Sequence, residues 1–222
     1  MKTILKSWVL MTSMGIITVA SAQQAGDWMV RGGYGTITPH VNSGNMTAPS
    51  FSGTKADVGS ASNLLGGVTY MYTDHFSVDL PLALPFKHKL YGDGALNGAG
   101  QLADVKALPA SVVAQYRFNE PSDVIRPYAG IGLTYAYFFN AKGSSTLTAL
   151  TNPGGSATGL KVDSRWSYTA QLGVTWALDR RWFLDAFYSM TPLKTRATFT
   201  SGQTLDLTVN PSAVGLSVGY KF

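Results

Sequence analysis

The last ten residues, Ala213 to Phe222, alternate without a fault. Val214, Leu216, Val218, Tyr220 and Phe222 fall on one side of an extended chain, and Ala213, Gly215, Ser217, Gly219 and Lys221 on the other. Side chains of a strand point to opposite faces with a period of two, so the segment predicts a β-strand with one apolar face and one small or polar face. The alternation recurs seven more times upstream. It predicts strands over Trp28–Ile37, Asn63–Tyr72, Phe76–Phe86, Ala107–Phe118, Arg126–Asn140, Val162–Leu178 and Trp182–Phe199, with the last running Leu205–Phe222. The sixth is the cleanest: Trp166, Tyr168, Ala170, Leu172, Val174, Trp176 and Leu178 oppose Arg165, Ser167, Thr169, Gln171, Gly173 and Thr175, a run that no helical period fits. In the third, Phe76, Val78, Leu80, Leu82, Leu84 and Phe86 oppose Ser77, Asp79, Pro81, Ala83 and Pro85.

The connections alternate in length. Residues 73–75, 119–125 and 179–181 are short, whereas 38–62, 87–106 and 141–161 are long and rich in Gly, Ser, Asn and Thr. Short turns on one side and long loops on the other predict an all-β fold: an eight-stranded antiparallel transmembrane β-barrel with long extracellular loops and short periplasmic turns. A soluble ligand-binding barrel of eight strands is the alternative, and it requires a polar exterior. Here the face with Trp166, Tyr168, Trp176, Trp182, Tyr188 and Tyr220 must be the exterior, because Gly, Ser, Thr and the charges occupy the other. Aromatics near strand ends are what interfacial girdles require.

Residues 1–22 read as a secretory signal: Lys2 and Lys6 precede an apolar run from Trp8 to Val19 and the small triplet Ala20-Ser21-Ala22. Cleavage after Ala22 leaves a barrel domain of residues 23–222 and lowers the formal charge from +5 to +3 by removing those two lysines. So mild a charge does not argue for nucleic acid. With no cysteine, an exported chain has neither disulfides nor thiolate metal sites. Beyond the signal no stretch reaches the roughly 18 to 20 apolar residues of a membrane helix.

The segments Gly26-Asp27-Trp28-Met29-Val30-Arg31, Arg126-Pro127-Tyr128-Ala129-Gly130-Ile131-Gly132, Trp182-Phe183-Leu184-Asp185-Ala186 and Asn210-Pro211, followed by the aromatic end, resemble the OmpW family of outer-membrane proteins. The similarity runs in order along the whole mature chain. It implies a monomeric eight-stranded barrel with a hydrophobic interior, in the outer membrane of a Gram-negative bacterium, which passes small hydrophobic compounds. The terminal Phe222 resembles the signal read by the barrel assembly machinery. The long first and second loops look unlike those of the usual members.

An eight-stranded barrel holds only its own side chains or one small ligand, so a water-filled pore is excluded. On the inward parity, Arg31, Asp79, Arg117, Asp185 and Lys221 lie near short turns or a chain end and predict a closed, charged floor on the periplasmic side. Such charges persist in a narrow space when paired and hydrogen-bonded, and a network of this kind also serves stability alone. Toward the outer end, Leu65, Ala83, Pro85, Phe138, Phe187 and Leu193 predict an apolar funnel suited to a hydrocarbon or aromatic ligand. Pro81, Pro85, Pro109, Pro192 and Pro211 fall inside predicted strands, where each removes a ladder donor. If Ser201-Gly202 forms a two-residue hairpin loop, Pro192 faces Pro211. Either that pair or the side bearing Pro81, Pro85 and Pro109 is then a lateral opening toward the lipid, against the plainer alternative of bulges where long strands bend. Above Pro211, Leu205, Leu207 and Val209 continue the inward parity of Lys221, so they line an upper lumen unless a bulge turns them out.

Catalytic chemistry finds no pattern. The three histidines, His40, His75 and His88, sit in loops or a turn without a spaced acid and nucleophile. No His-x-x-x-His or carboxylate cluster suggests a metal, and no cofactor is implied. The remaining rival is a surface barrel that docks partners through loops such as Ser43–Ser62 and Ser144–Gly159, flexible by composition, without transport.

Overall fold

The computed structural model describes residues 23–50 and 52–222, and the expected export signal over 1–22 lies outside them. In chain order the elements are β1 (Trp28–Thr38), β2 (Asn42–Ser43), β3 (Thr54–Val58), β4 (Ala61–Met71), β5 (Phe76–Ala83), β6 (Phe86–Gly94), β7 (Gln101–Arg117) and β8 (Ile125–Gly143). There follow α1 (Ser145–Thr151), β9 (Leu160–Val162), β10 (Arg165–Ala177), β11 (Trp182–Met190), β12 (Lys194–Phe199), β13 (Thr204–Thr208) and β14 (Ser212–Lys221). Eight of the strands close a barrel in the order β1-β4-β5-β7-β8-β10-β11-β14, with β14 returning antiparallel to β1 through Gly33↔Ser217. Among the described residues no helix is long and apolar enough to cross a membrane.

The terminal alternation becomes the barrel wall. Leu216 is 70 % exposed and its neighbour Ser217 only 5 %, so the apolar set faces outward and the small set inward. Trp166 and Trp176, both exposed, stand ten residues apart on β10. At ~3.3 Å per residue and a tilt of ~40°, that spacing is about 25 Å, the height of a barrel's lipid-facing band. The periplasmic turns are held by side chains. Asp179 Oδ1 accepts from the backbone of Arg181 and Trp182 (2.7 Å each), bonds that keep its carboxyl below the usual range, and Thr73 Oγ1 accepts from Phe76 N (2.9 Å).

Above the band the strands break and resume. β5 gives way to β6 at Leu84-Pro85, β11 to β12 at residues 191–193, and β13 to β14 at 209–211, while β2, β13, β12 and β9 form a second sheet. The break at Leu84-Pro85 reverses the parity, so Phe86, expected on the lipid face, is buried inside at 2 % exposure. The hairpin at the other break also differs from expectation. Phe199 N bonds to Gln203 O, which makes a three-residue loop closed by Gly202 at φ 94, a conformation only glycine takes readily. Lys194 consequently pairs with Thr208, so Pro211 faces Thr191 and not Pro192.

The long connections carry secondary structure of their own. Residues 38–62 carry β2 and β3, and 141–161 carry α1, whose first turn is capped by Ser144 Oγ accepting from Leu147 N (3.1 Å). Leu147 packs in one extracellular core with Leu90, Leu102, Leu160, Phe199, Leu205 and Leu207. Leu205, Leu207 and Val209 are therefore lumen residues, and no bulge turns them out.

Candidate functional site: a closed floor, an apolar cavity and a broken ladder

The floor is built by inward residues of the lower barrel. Arg31 on β1 donates from Nη1 and Nη2 to the two oxygens of Asp79 on β5, both at 2.7 Å, and Thr69 donates to the same carboxylate at 2.6 Å. Arg31 Nε lies 3.7 Å from Asp185 on β11, which also accepts from Tyr128 Oη at 3.1 Å. Arg117 has no carboxylate within ion-pair distance among the described residues. Its guanidinium donates to Gln23, Thr175 and Gln115 at 2.8, 2.9 and 3.0 Å and lies 4.8 Å over the Tyr128 ring. Lys221 stands apart at the rim, 3.2 Å from Asp27.

Several floor residues escaped the sequence reading. Arg126, 1 % exposed, donates to the Gln23 and Asp74 carbonyls and closes the barrel from below. Tyr128 and the Gln115–Gln171 bridge (2.8 Å) cross the lumen. The signal was present for four of them, since Arg126 and Tyr128 share the parity of inward Gly130, Gln115 that of Arg117, and Gln171 lies on the polar face of its strand; Gln23 precedes the first strand and carries no such mark.

Above the floor is a cavity of about 170 Å³. Of the six residues expected there, Leu65, Ala83, Phe138, Phe187 and Leu193 line it and Pro85, at the break between β5 and β6, does not; Leu207 and Val209 join from the upper sheet. Its polar band is a row of hydroxyls bonded to one another, Ser111 to Thr134 at 2.8 Å, Thr134 to Thr169, and Thr169 to Thr191 at 2.7 Å. Hydroxyls paired this way offer little to a ligand and cost little in an apolar setting.

The five prolines separate into two sets. At the β12–β13 hairpin the ladder is bridged across its break by Thr191 N to Pro211 O (3.0 Å) and Val209 N to Leu193 O (2.7 Å), and Pro192 is exposed. Between β5 and β7 the ladder stops. Pairing runs from Phe76↔Tyr116 to Asp79↔Val113 and resumes only at Phe86↔Ala107, where β6 begins. Arg117 N bonds to His75 O, so the odd residues of β7 aim their N–H groups at β5; Leu84 N bonds to Leu64 O, so the odd residues of β5 aim theirs at β7. Continued without a shift, the next bonded pairs would be Pro81↔Ser111, Ala83↔Pro109 and Pro85↔Ala107. Each contains a proline, which has no N–H to give. Pro81, Pro109 and the outward-facing, 58 % exposed Leu82 all border the cavity at this gap.

A lipid-banded eight-stranded barrel, sealed below by charge and hollow above, defines an outer-membrane β-barrel protein. Its sequence agrees: the family model "OmpW family" matches residues 24–222, and the chain belongs to the OmpW family. It is 34 % identical over 207 residues to outer membrane protein W of Vibrio cholerae, covering 90 % of this chain and 91 % of that protein. The crystal structure of OprG from Pseudomonas aeruginosa superposes with a TM-score of 0.82 at 30 % identity, covering 91 % of this chain and 98 % of that one. AlkL in lipid bilayers, at 18 % identity, shares the fold with a TM-score of 0.67, covering 100 % of this chain and 97 % of that one. The protein resides in the outer membrane, within its lipid, and its family is one of barrels and not of enzymes.

Proposed function

We propose that this barrel is a carrier for small hydrophobic molecules, which enter from outside, occupy the cavity above the charged floor, and leave sideways between β5 and β7 into the outer leaflet. The observation that carries the reading is the run of three successive ladder pairs each holding a proline, next to a cavity that lipid-facing Leu82 borders. The floor around Arg31, Asp79, Arg117 and Asp185 blocks a direct path to the periplasm, which leaves the wall as the exit. An apolar lining suits a hydrocarbon or aromatic guest and penalises a sugar, whose hydroxyls lose water without gaining partners. In this reading the barrel acts as a monomer, needs no cofactor, performs no catalysis, and depends on the barrel assembly machinery only for insertion.

Liposomes carrying the folded protein should take up an apolar fluorescent tracer faster than liposomes carrying a loop-matched control barrel. Equal rates would leave the surface-docking alternative as the better account. Phe187→Trp, which enlarges a cavity-lining ring, should slow uptake while leaving the barrel folded; unchanged flux would exclude this path.

A further inference from the structure

Outside the lumen, the exterior of β6, β7 and β8 carries a concentration of positive charge that the carrier reading does not use. Lys87 and Lys106 are direct cross-strand partners, and Lys89, Asp104 and Lys142 face one another in one row across the three strands. Their outward direction follows from burial: Phe86, His88 and Leu90 are inside, while Lys87, Lys89 and Lys142 are exposed. A bulge at Asn140 (φ 54) keeps Lys142 on the outer face despite the register shift between Asp104 and Lys106. Of these four cations, Lys87 alone has a carboxylate within ion-pair distance among the described residues, Asp104 Oδ2 at 3.4 Å; Asp93 farther along β6 faces Lys55 of β3, and Asp57 of β3 faces Tyr91.

Like charges directly opposite each other destabilise a strand pair. Elsewhere above the band the arginines are matched, Arg196 by two bonds to Asp206 at 2.6 and 3.0 Å and Arg165 by Asp163 at 3.0 Å, and the exposed Lys161 and Lys194 face threonines, not other cations. The lysine cluster therefore calls for anions from outside the chain. Its height says which ones. Lys106 pairs with Phe139, the top of the stacked Tyr135–Tyr137–Phe139 column, whose base Tyr135 packs on Trp166 at the edge of the lipid band. Lysines starting beside those rings lie roughly within the headgroup layer, and their flexible stems follow the apolar surface while the ammonium stays wet.

We propose that this three-strand face is a binding site for the phosphate groups of an outer-leaflet glycolipid, held by Lys87 and Lys106 with Lys89 and Lys142 flanking. It rests on the outer-membrane location and not on the carrier reading. The Lys87↔Lys106 pair immediately follows Phe86↔Ala107, so the bound headgroup stands at the upper edge of the broken ladder.

The test measures binding of a bisphosphorylated diglucosamine glycolipid, and of its dephosphorylated counterpart, to the folded full barrel by native mass spectrometry. The wild type should prefer the phosphorylated form by about tenfold or more, as two lysines near an anionic headgroup supply. K87Q/K106Q should lose that preference, and the charge-matched K161Q/K194Q, on the exposed face of β9 and β12, should keep it. K87R/K106R should restore binding and serves as the folding control. Equal binding of the two glycolipids to the wild type, or equal losses in both glutamine doubles, would overturn the assignment.

Discussion

Asp79→Ala is expected to remove about 3–5 kcal/mol of unfolding stability, the cost of leaving a buried cation without its partner. Asp79 is fully buried and receives both terminal nitrogens of Arg31, which is itself 8 % exposed. Truncation leaves Arg31 with a neutral partner, Thr69 Oγ1 at 2.9 Å from Nη1, and with Asp185 at 3.7 Å from Nε, too far to replace two charged bonds of 2.7 Å. Urea unfolding in lipid bilayers reads the change. Asp27→Ala at the partly wet rim should cost markedly less, because Lys221 can turn to solvent. Replacing both partners, Arg31→Met with Asp79→Leu, should recover most of the loss, since apolar groups of similar size need no pairing. Gly67→Ala should reproduce part of it: a Cβ there would stand 2.8 Å from Arg31 Cζ and push the guanidinium off its carboxylate. A loss under about 1 kcal/mol for Asp79→Ala would show that the other floor residues hold Arg31 without it.

Restoring the missing donors is expected to abolish sideways release. P81A/P85A/P109A returns an N–H to each of the three interrupted pairs, and each pair then has both of its ladder donors instead of one. At about 1 kcal/mol net per bond, the triple variant should be more stable by up to about 3 kcal/mol, less what the one-residue register shift at Leu84-Pro85 withholds. The seam between β5 and β7 would close, and tracer uptake should fall to the level of protein-free liposomes. Hydrogen exchange supplies the independent reading: the Ser111 amide, aimed at β5, should become protected. Protection without loss of uptake would place the exit elsewhere, with the bridged break at Pro211 the next place to look.

The eight strands and their lipid faces were legible because alternation is a property of each strand taken singly. Val214, Leu216 and Val218 must be apolar whatever lies beside them, since lipid lies outside. The floor was legible for the same reason wherever a charge sat on the inward parity, as with Arg31 and Asp185. Register was not. Whether Pro192 meets Pro211 depends on one residue in a hairpin loop, and the loop has three residues where two were expected. Phe86 was assigned to lipid because the parity reversal at Leu84-Pro85 arises from how β6 meets β7, not from β5 itself. The folded extracellular core was also hidden, because Met46, Leu102, Leu147 and Leu160 are sparse in Gly- and Ser-rich segments and become a core only when four connections converge.

By itself the sequence determined where this protein resides and which side of each strand meets lipid, since contact with a hydrocarbon exterior is written locally, residue by residue. Only the tertiary structure decided that Pro81, Pro85 and Pro109, from separate strands, remove donors from one and the same ladder. Backbone hydrogen bonding between strands is a pairwise, nonlocal property, and its register follows from turns and bulges that alternation does not encode.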